Sequence, residues 1–161
     1  MLFYLDTNVF YHAYCPVEDS SSVEWLFSQF SKICQGITCE WTILEMFRAF
    51  KKQVNLGVIN EKDAQIALDF FIADISEMSK KSVLQLIPIT MTAIITTRKL
   101  IFSYNLFAAD ALHATIAINS QVNAFITYDE NFKVDLDEIP ILNPQKESFR
   151  SKIEEILHRK Q

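Results

Sequence analysis

The run Leu2-Phe3-Tyr4-Leu5-Asp6-Thr7-Asn8-Val9-Phe10 constrains this chain more than any other feature. An apolar strand candidate ends abruptly in an acid, and polar residues able to start a helix follow at once. Asp6 therefore stands at the tip of a buried strand, where a lone carboxylate is costly without a charged partner. Three further acids hold comparable junctions: Glu45 in Leu44-Glu45-Met46, Asp110 in Ala109-Asp110-Ala111, and Asp129 in Thr127-Tyr128-Asp129. Scattered acids converging on one edge of a sheet point to a divalent metal site, and with it phosphodiester chemistry.

The pattern around these acids alternates short apolar strands with helices. Residues 2–5 read as a buried strand. Val23, Leu26, Phe27, Phe30 and Ile33 recur at helical spacing over 20–34, with Asp19 or one of Ser20 to Ser22 as cap. Gly36 breaks that pattern before a short strand at 37–39. Helices follow at 41–55, stopped by Gly57, and at 61–79, capped by Asn60; together they predict a helical hairpin. Val83 to Ile89 reads as extended, and Thr90 or Thr92 opens a helix to about Tyr104. Residues 108–119 are apolar nearly all round, which predicts a helix buried on most sides. Strands at 124–127 and 139–142 follow, the second at an edge because of Pro140. A last helix spans about 146–159. This alternation predicts a parallel sheet covered on both faces, with its ligand site at the carboxyl ends of the strands. Asp6 and Asp129 both lie at that end.

Bulk properties narrow the function classes. At 161 residues the chain suits one domain with a real core, to which 13 Phe contribute much of the volume. The net charge of −5 means that the global field does not recruit nucleic acid, so binding would need a local basic patch. A nuclease stays open, because bound cations offset a cluster of acids. Cys15, Cys34 and Cys39 are odd in number and lack CxxC spacing, which reads as reduced cytoplasmic thiols rather than a disulfide frame or zinc ribbon. There is no signal-peptide pattern, and no uncharged run approaches the roughly 18–20 residues of a membrane span.

Each acid also has an ordinary reading. Asp110 suits a helix N-terminus through the macrodipole, and Asp129 suits a turn. Glu45 sits among Leu44, Met46 and Phe47, and Asp6 follows an apolar run, so plain solvation explains these two less well. Asp19, Asp63, Asp69, Asp74, Asp135 and Asp137 read as surface or turn acids. If the four candidates meet, mutual repulsion raises at least one pKa, and a hard cation such as Mg²⁺ or Mn²⁺ relieves it.

Leu5-Asp6-Thr7-Asn8, Thr42-Ile43-Leu44-Glu45, Ala108-Ala109-Asp110-Ala111-Leu112-His113-Ala114 and Phe125-Ile126-Thr127-Tyr128-Asp129-Glu130-Asn131-Phe132 resemble, in order, the four signature segments of PIN-domain ribonucleases. The match is nearest to VapC-like toxins of toxin–antitoxin pairs and spans residues 1–143. The resemblance implies a three-layer α/β/α sandwich around a mainly parallel sheet, and Mg²⁺- or Mn²⁺-dependent cleavage of RNA. It makes Asp6, Glu45, Asp110 and Asp129 the metal-binding, catalytic acids, with Asn8 and Thr127 supporting them. It gives the 41–79 hairpin to homodimer and antitoxin contacts. Cys39 stands where a Ser is common, and residues 144–161 form an additional helical extension, packed on the same domain or trailing from it.

Arg48 and Lys52 share the helix face of Glu45 and are candidates to meet the RNA backbone; Lys51 and Lys52 also suit a helix C-terminus. Arg98 and Lys99 are weaker candidates of the same kind. His113 reads as a packed histidine rather than a metal ligand. Phe47, Phe50, Phe70 and Phe71 read as core or interface. The alternatives are a catalytically silent binding domain of the same fold, or a metal-dependent phosphatase or nuclease acting on another nucleic acid. A flavodoxin-like or response-regulator fold fits the position of Glu45 less well.

Overall fold

The computed structural model describes residues 1–134, 136 and 138–158. Asp135 and Asp137, and the end of the final helix expected to 159, lie outside them. The described chain runs β1 (Leu2–Leu5), α1 (Thr7–Tyr14), α2 (Ser21–Ser28), β2 (Gln35–Cys39), α3 (Trp41–Asn55), α4 (Glu61–Lys80), β3 (Leu84–Ile87), α5 (Met91–Tyr104), α6 (Ala108–Asn119), β4 (Ala124–Ile126), β5 (Ile141–Leu142) and α7 (Phe149–His158).

The strands form one parallel sheet in the order β3-β2-β1-β4-β5. β1 is central because it is apolar on both faces. Phe3 and Leu5 point into a cluster with Val9, Phe10, Met46, Phe50 and Phe71, from the α1, α3 and α4 side. Tyr4 points the opposite way, into a cluster with Ile37, Phe125, Ala114 and Ala117, against α6. This is the two-residue side-chain period of a strand buried on both sides. The result is the three-layer α/β/α sandwich expected from the sequence. β5 is an edge strand preceded by Pro140, also as expected. α6 is buried from Ala111 to Ala117.

Local signals behave as read where the side chain makes the cap. Asn60 accepts from the Asp63 amide at 2.8 Å and Thr90 from the Ala93 amide at 3.1 Å. Gly57 has a φ of +71° just beyond α3, a conformation that costs a residue with a Cβ. The helix expected over 20–34 is the clear miss. It stops at Ser28, and Ser31 and Cys34 close a tight turn, leaving Ile33 exposed. Gly36 lies inside β2 rather than before it. A Cβ there would stand 2.8 Å from Phe30 Cε2 and 3.0 Å from methyls of both Leu5 and Leu84. The glycine lets Phe30 close over the strand, so it is a packing residue and not a breaker. α7 starts at Phe149, later than expected, and buries Phe149 and Ile153 in the cluster on the α1 side.

The three cysteines are free thiols and buried. No single helix among the described residues is long and apolar enough to cross a membrane. α5 and α6 reach that composition only as a pair, bent by 114° at their junction.

Gly36→Ala is predicted to lower stability by about 1–3 kcal/mol, the usual cost of overpacking. Urea unfolding that gives an unchanged midpoint would show that Phe30 can move aside freely.

Candidate active site

The four acids come from four elements and line one open cleft of about 510 Å³ at the carboxyl ends of the strands. Asp6 ends β1 and caps α1, Glu45 lies in the second turn of α3, Asp110 in the first turn of α6, and Asp129 just after β4. Thr7, Asn8, Tyr11, Arg48, Ala49, Lys52 and Gln53 complete the lining. Arg48 and Lys52 are exposed. Every residue singled out at this site from the sequence therefore reaches the cleft except Thr127 as a held support beneath it. Arg98 and Lys99 are not among the lining residues.

Asp6 is the most tightly held of the acids. Its Oδ1 accepts from the Thr7 amide at 2.7 Å. Its Oδ2 accepts from Asn8 Nδ2 at 2.8 Å and from the Thr127 hydroxyl at 2.7 Å. Asn8 Nδ2 also donates to Thr127 Oγ1 at 2.9 Å, and Asn8 Oδ1 accepts from the Tyr128 amide at 2.9 Å. Thr127 Oγ1 in turn accepts from the Asp129 amide at 3.0 Å. One asparagine and one threonine thus tie the end of β1 to the loop that carries Asp129. Asp129 is exposed, and its Oδ1 accepts from the Asn131 amide at 2.8 Å. Its reading as a turn residue holds alongside its place in the cleft.

Glu45 is tied from below. Its Oε2 accepts from the Thr7 hydroxyl and meets His113 Nε2 at 2.7 Å. Under it, buried Thr38 donates to the Leu5 carbonyl at 2.9 Å and shares a 2.7 Å hydrogen bond with Thr42. Sequence reasoning passed over Thr7, Thr38 and Thr42. A polar residue beside an apolar run was the available signal, and it is common to too many caps and turns to single them out.

The electrostatics separate the acids. Burial raises the Asp6 carboxyl, against the charge of His113 and the bonds from Thr127 and Thr7. Burial also raises Asp110, assisted by the neighbouring charge of Asp6 and then of Asp129 and Glu45. For Glu45 burial acts upward, but the hydrogen bond and charge of His113, with Thr7 and Trp41, outweigh it and hold the group low. Burial acts against charging His113, yet its bonds to Cys39 and Glu45 and the charge of Asp6 raise it well above its ordinary value.

Among the described residues, no three His, Cys, Asp or Glu side chains close around a common point as a finished metal cage. The all-oxygen donor set still fits a hydrated hard cation. Mg²⁺ commonly takes only one or two carboxylates directly and keeps several waters. Burial is the first cause of the raised Asp6 and Asp110, and for Asp110 the charges of Asp6, Asp129 and Glu45 add to it, charges that a bound cation would offset.

The raised Asp110 carboxyl has a consequence for stability. A carboxyl with a raised folded-state pKa contributes stability that is present below its ordinary value and lost as pH rises through the raised one. Without divalent metal, Asp110→Asn is predicted to unfold about 1–3 °C above the native chain at pH 7, partial exposure keeping the effect small. The gap should vanish near pH 3. A native chain that is the more stable at pH 7 in chelator would contradict it.

The PIN domain family model matches residues 3–134. No curated protein matches the sequence. Several solved structures share the fold. VapBC2 from Rickettsia felis, bound to a DNA fragment from its promoter, is 19% identical with a TM-score of 0.58, covering 89% of this chain and 98% of that one. VapC20 from Mycobacterium tuberculosis, a toxin that cleaves the sarcin-ricin loop, is 10% identical with a TM-score of 0.60, covering 81% and 92%. FitAcB from Neisseria gonorrhoeae is 17% identical with a TM-score of 0.59, covering 89% and 98%. With the family model spanning most of its length and these structures agreeing on its fold, the chain belongs to the PIN domain family.

Proposed function

We propose that this chain is a metal-dependent endoribonuclease that hydrolyses RNA phosphodiester bonds as the toxin of a toxin–antitoxin pair. The observation that carries the reading is the single cleft lined by Asp6, Glu45, Asp110 and Asp129, with Arg48 and Lys52 on its wall. Asp6, Asp110 and Asp129 would hold Mg²⁺ or Mn²⁺, with Glu45 joining directly or through water. When bound, the cation supplies an activated water and positive charge for the phosphate oxygens. Asn8 and Thr127 keep Asp6 in place through their hydrogen bonds. Arg48 and Lys52 attract and align the phosphodiester backbone. In this reading residues 1–143 are the nuclease domain and the residues from 144 onward, which include α7, are an extension of it, acting in the cytoplasm, where buried thiols stay reduced.

The partners are an RNA substrate, an antitoxin protein and a second copy of the chain. Two of the similar solved structures are named as paired complexes, VapBC2 and FitAcB. Phe47 and Phe70 on the α3–α4 hairpin are exposed, whereas Phe50 and Phe71 belong to the core. α5 and the loop after it also expose Met91, Ile95, Phe102 and Phe107. Apolar surface on this scale suits protein contacts.

Cleavage of a mixed pool of structured and single-stranded RNA, with Mg²⁺ or Mn²⁺, tests the reading. The native chain should cut, and Asp6→Asn should keep the fold and lose the cuts. Full activity in the variant sinks the assignment. Arg48→Ala should raise KM several-fold at unchanged metal affinity and reduce the salt slope of RNA binding by about 0.7; an unchanged slope removes Arg48 from the substrate path.

A further inference from the structure

His113 is 1% exposed and lies one helical turn beyond Asp110. Its two ring nitrogens face different partners. Nδ1 shares a 2.7 Å hydrogen bond with the Tyr4 hydroxyl, and Nε2 lies 2.7 Å from Glu45 Oε2. The same Nε2 is 3.4 Å from Thr7 Oγ1 and 4.0 Å from Asp6 Oδ1. Cys39 Sγ lies 3.6 Å from Nδ1. An ionised carboxylate only accepts, so the Nε2 proton points at Glu45.

We propose that His113 is a positioning residue for the cleft: bridging Tyr4 and Glu45, it holds the Glu45 carboxylate in place among the three aspartates to receive a divalent cation. The assignment rests on the metal-dependent reading above. Any buried imidazole N–H needs an acceptor, and here the acceptor is a cleft acid. A glutamate side chain also has several rotamers to lose on ordering, and the His113 and Thr7 donors both converge on one oxygen of it. Tyr4 fixes the ring from the far side, and it comes from the same strand that delivers Asp6. His113 therefore couples the tip of β1, the second turn of α3 and the first turn of α6, the elements that carry Asp6, Glu45 and Asp110. Outer partners of this kind typically change metal affinity or activity about 10- to 100-fold.

The test compares His113→Leu with His113→Gln, whose amide N–H reaches the Nε2 position. Mn²⁺ affinity is read by calorimetry without RNA, and kcat and KM are read with it. The Leu variant should lose about tenfold or more in Mn²⁺ affinity and in kcat with little change in KM. The Gln variant should recover to within about threefold of native. A folded Leu variant that binds Mn²⁺ and cuts like the native chain overturns the proposal, as does equal damage in both variants. If the Leu variant does not fold, NMR of the native chain decides. The His113 Nε2–H resonance should be protected from exchange, shift on adding Mg²⁺, and lose its protection in Glu45→Ala. Mg²⁺ that shifts the amides of Asp6 and Asp110 but leaves this resonance unmoved overturns the role of His113 alone. Mg²⁺ that shifts nothing overturns the metal reading and this assignment together.

Discussion

A carboxylate at the end of the central strand governs the rest of the structure. Asp6 follows three residues buried on both sides of the sheet, so its charge is set where water is scarce. An unpaired charge in that position is expensive. The fold answers with a backbone amide, a side-chain amide and a hydroxyl: Thr7, Asn8 and Thr127. Two of those donors are the next residues in the chain, which explains why α1 begins at once. The third lies one residue beyond β4, the parallel neighbour of β1, whose register sets Leu5 beside Ile126. Solving the Asp6 problem therefore fixes how the Asp129 loop meets the first strand.

The cleft combines two kinds of acid. Glu45 is satisfied by the protein itself, through His113 and Thr7, and is held low. Asp6 and Asp110 are raised mainly by burial, Asp6 despite its three donors and Asp110 with the charge of Asp6 adding to it. The cation proposed for this cleft would offset the charge that Asp6 and Asp110 carry there.

Much of this was legible in the sequence, and the reasons differ by element. The strand at 2–5, the hairpin helices and the buried helix at 108–119 are long or strongly patterned, and the caps of α4 at Asn60 and of α5 at Thr90 are local chemistry. The four acids were legible because each interrupts an apolar run. The helix expected over 20–34 failed because Phe30 continues the helical spacing while serving another purpose: it packs on Phe3, with ring centroids 6.5 Å apart, and over Gly36. Gly36 itself looked like punctuation, since nothing local distinguishes a glycine that breaks an element from one that admits a neighbouring ring. The role of His113 was out of reach for the same reason. A histidine on an apolar helix reads as a packed core residue until its two nitrogens are seen to face Tyr4 and Glu45.

The sequence by itself determined the alternation of elements and the burial of the sheet on both faces, and it singled out four acids that line one cleft, because these follow from side-chain period and from the cost of placing charge beside apolar residues. Only the tertiary structure decided which acids are answered and by whom. Partners 68 residues apart, such as Glu45 and His113, or 121 apart, such as Asp6 and Thr127, meet through strand order and helix packing. Those contacts are set by the parallel crossovers of the whole sheet, which no local window of the chain contains.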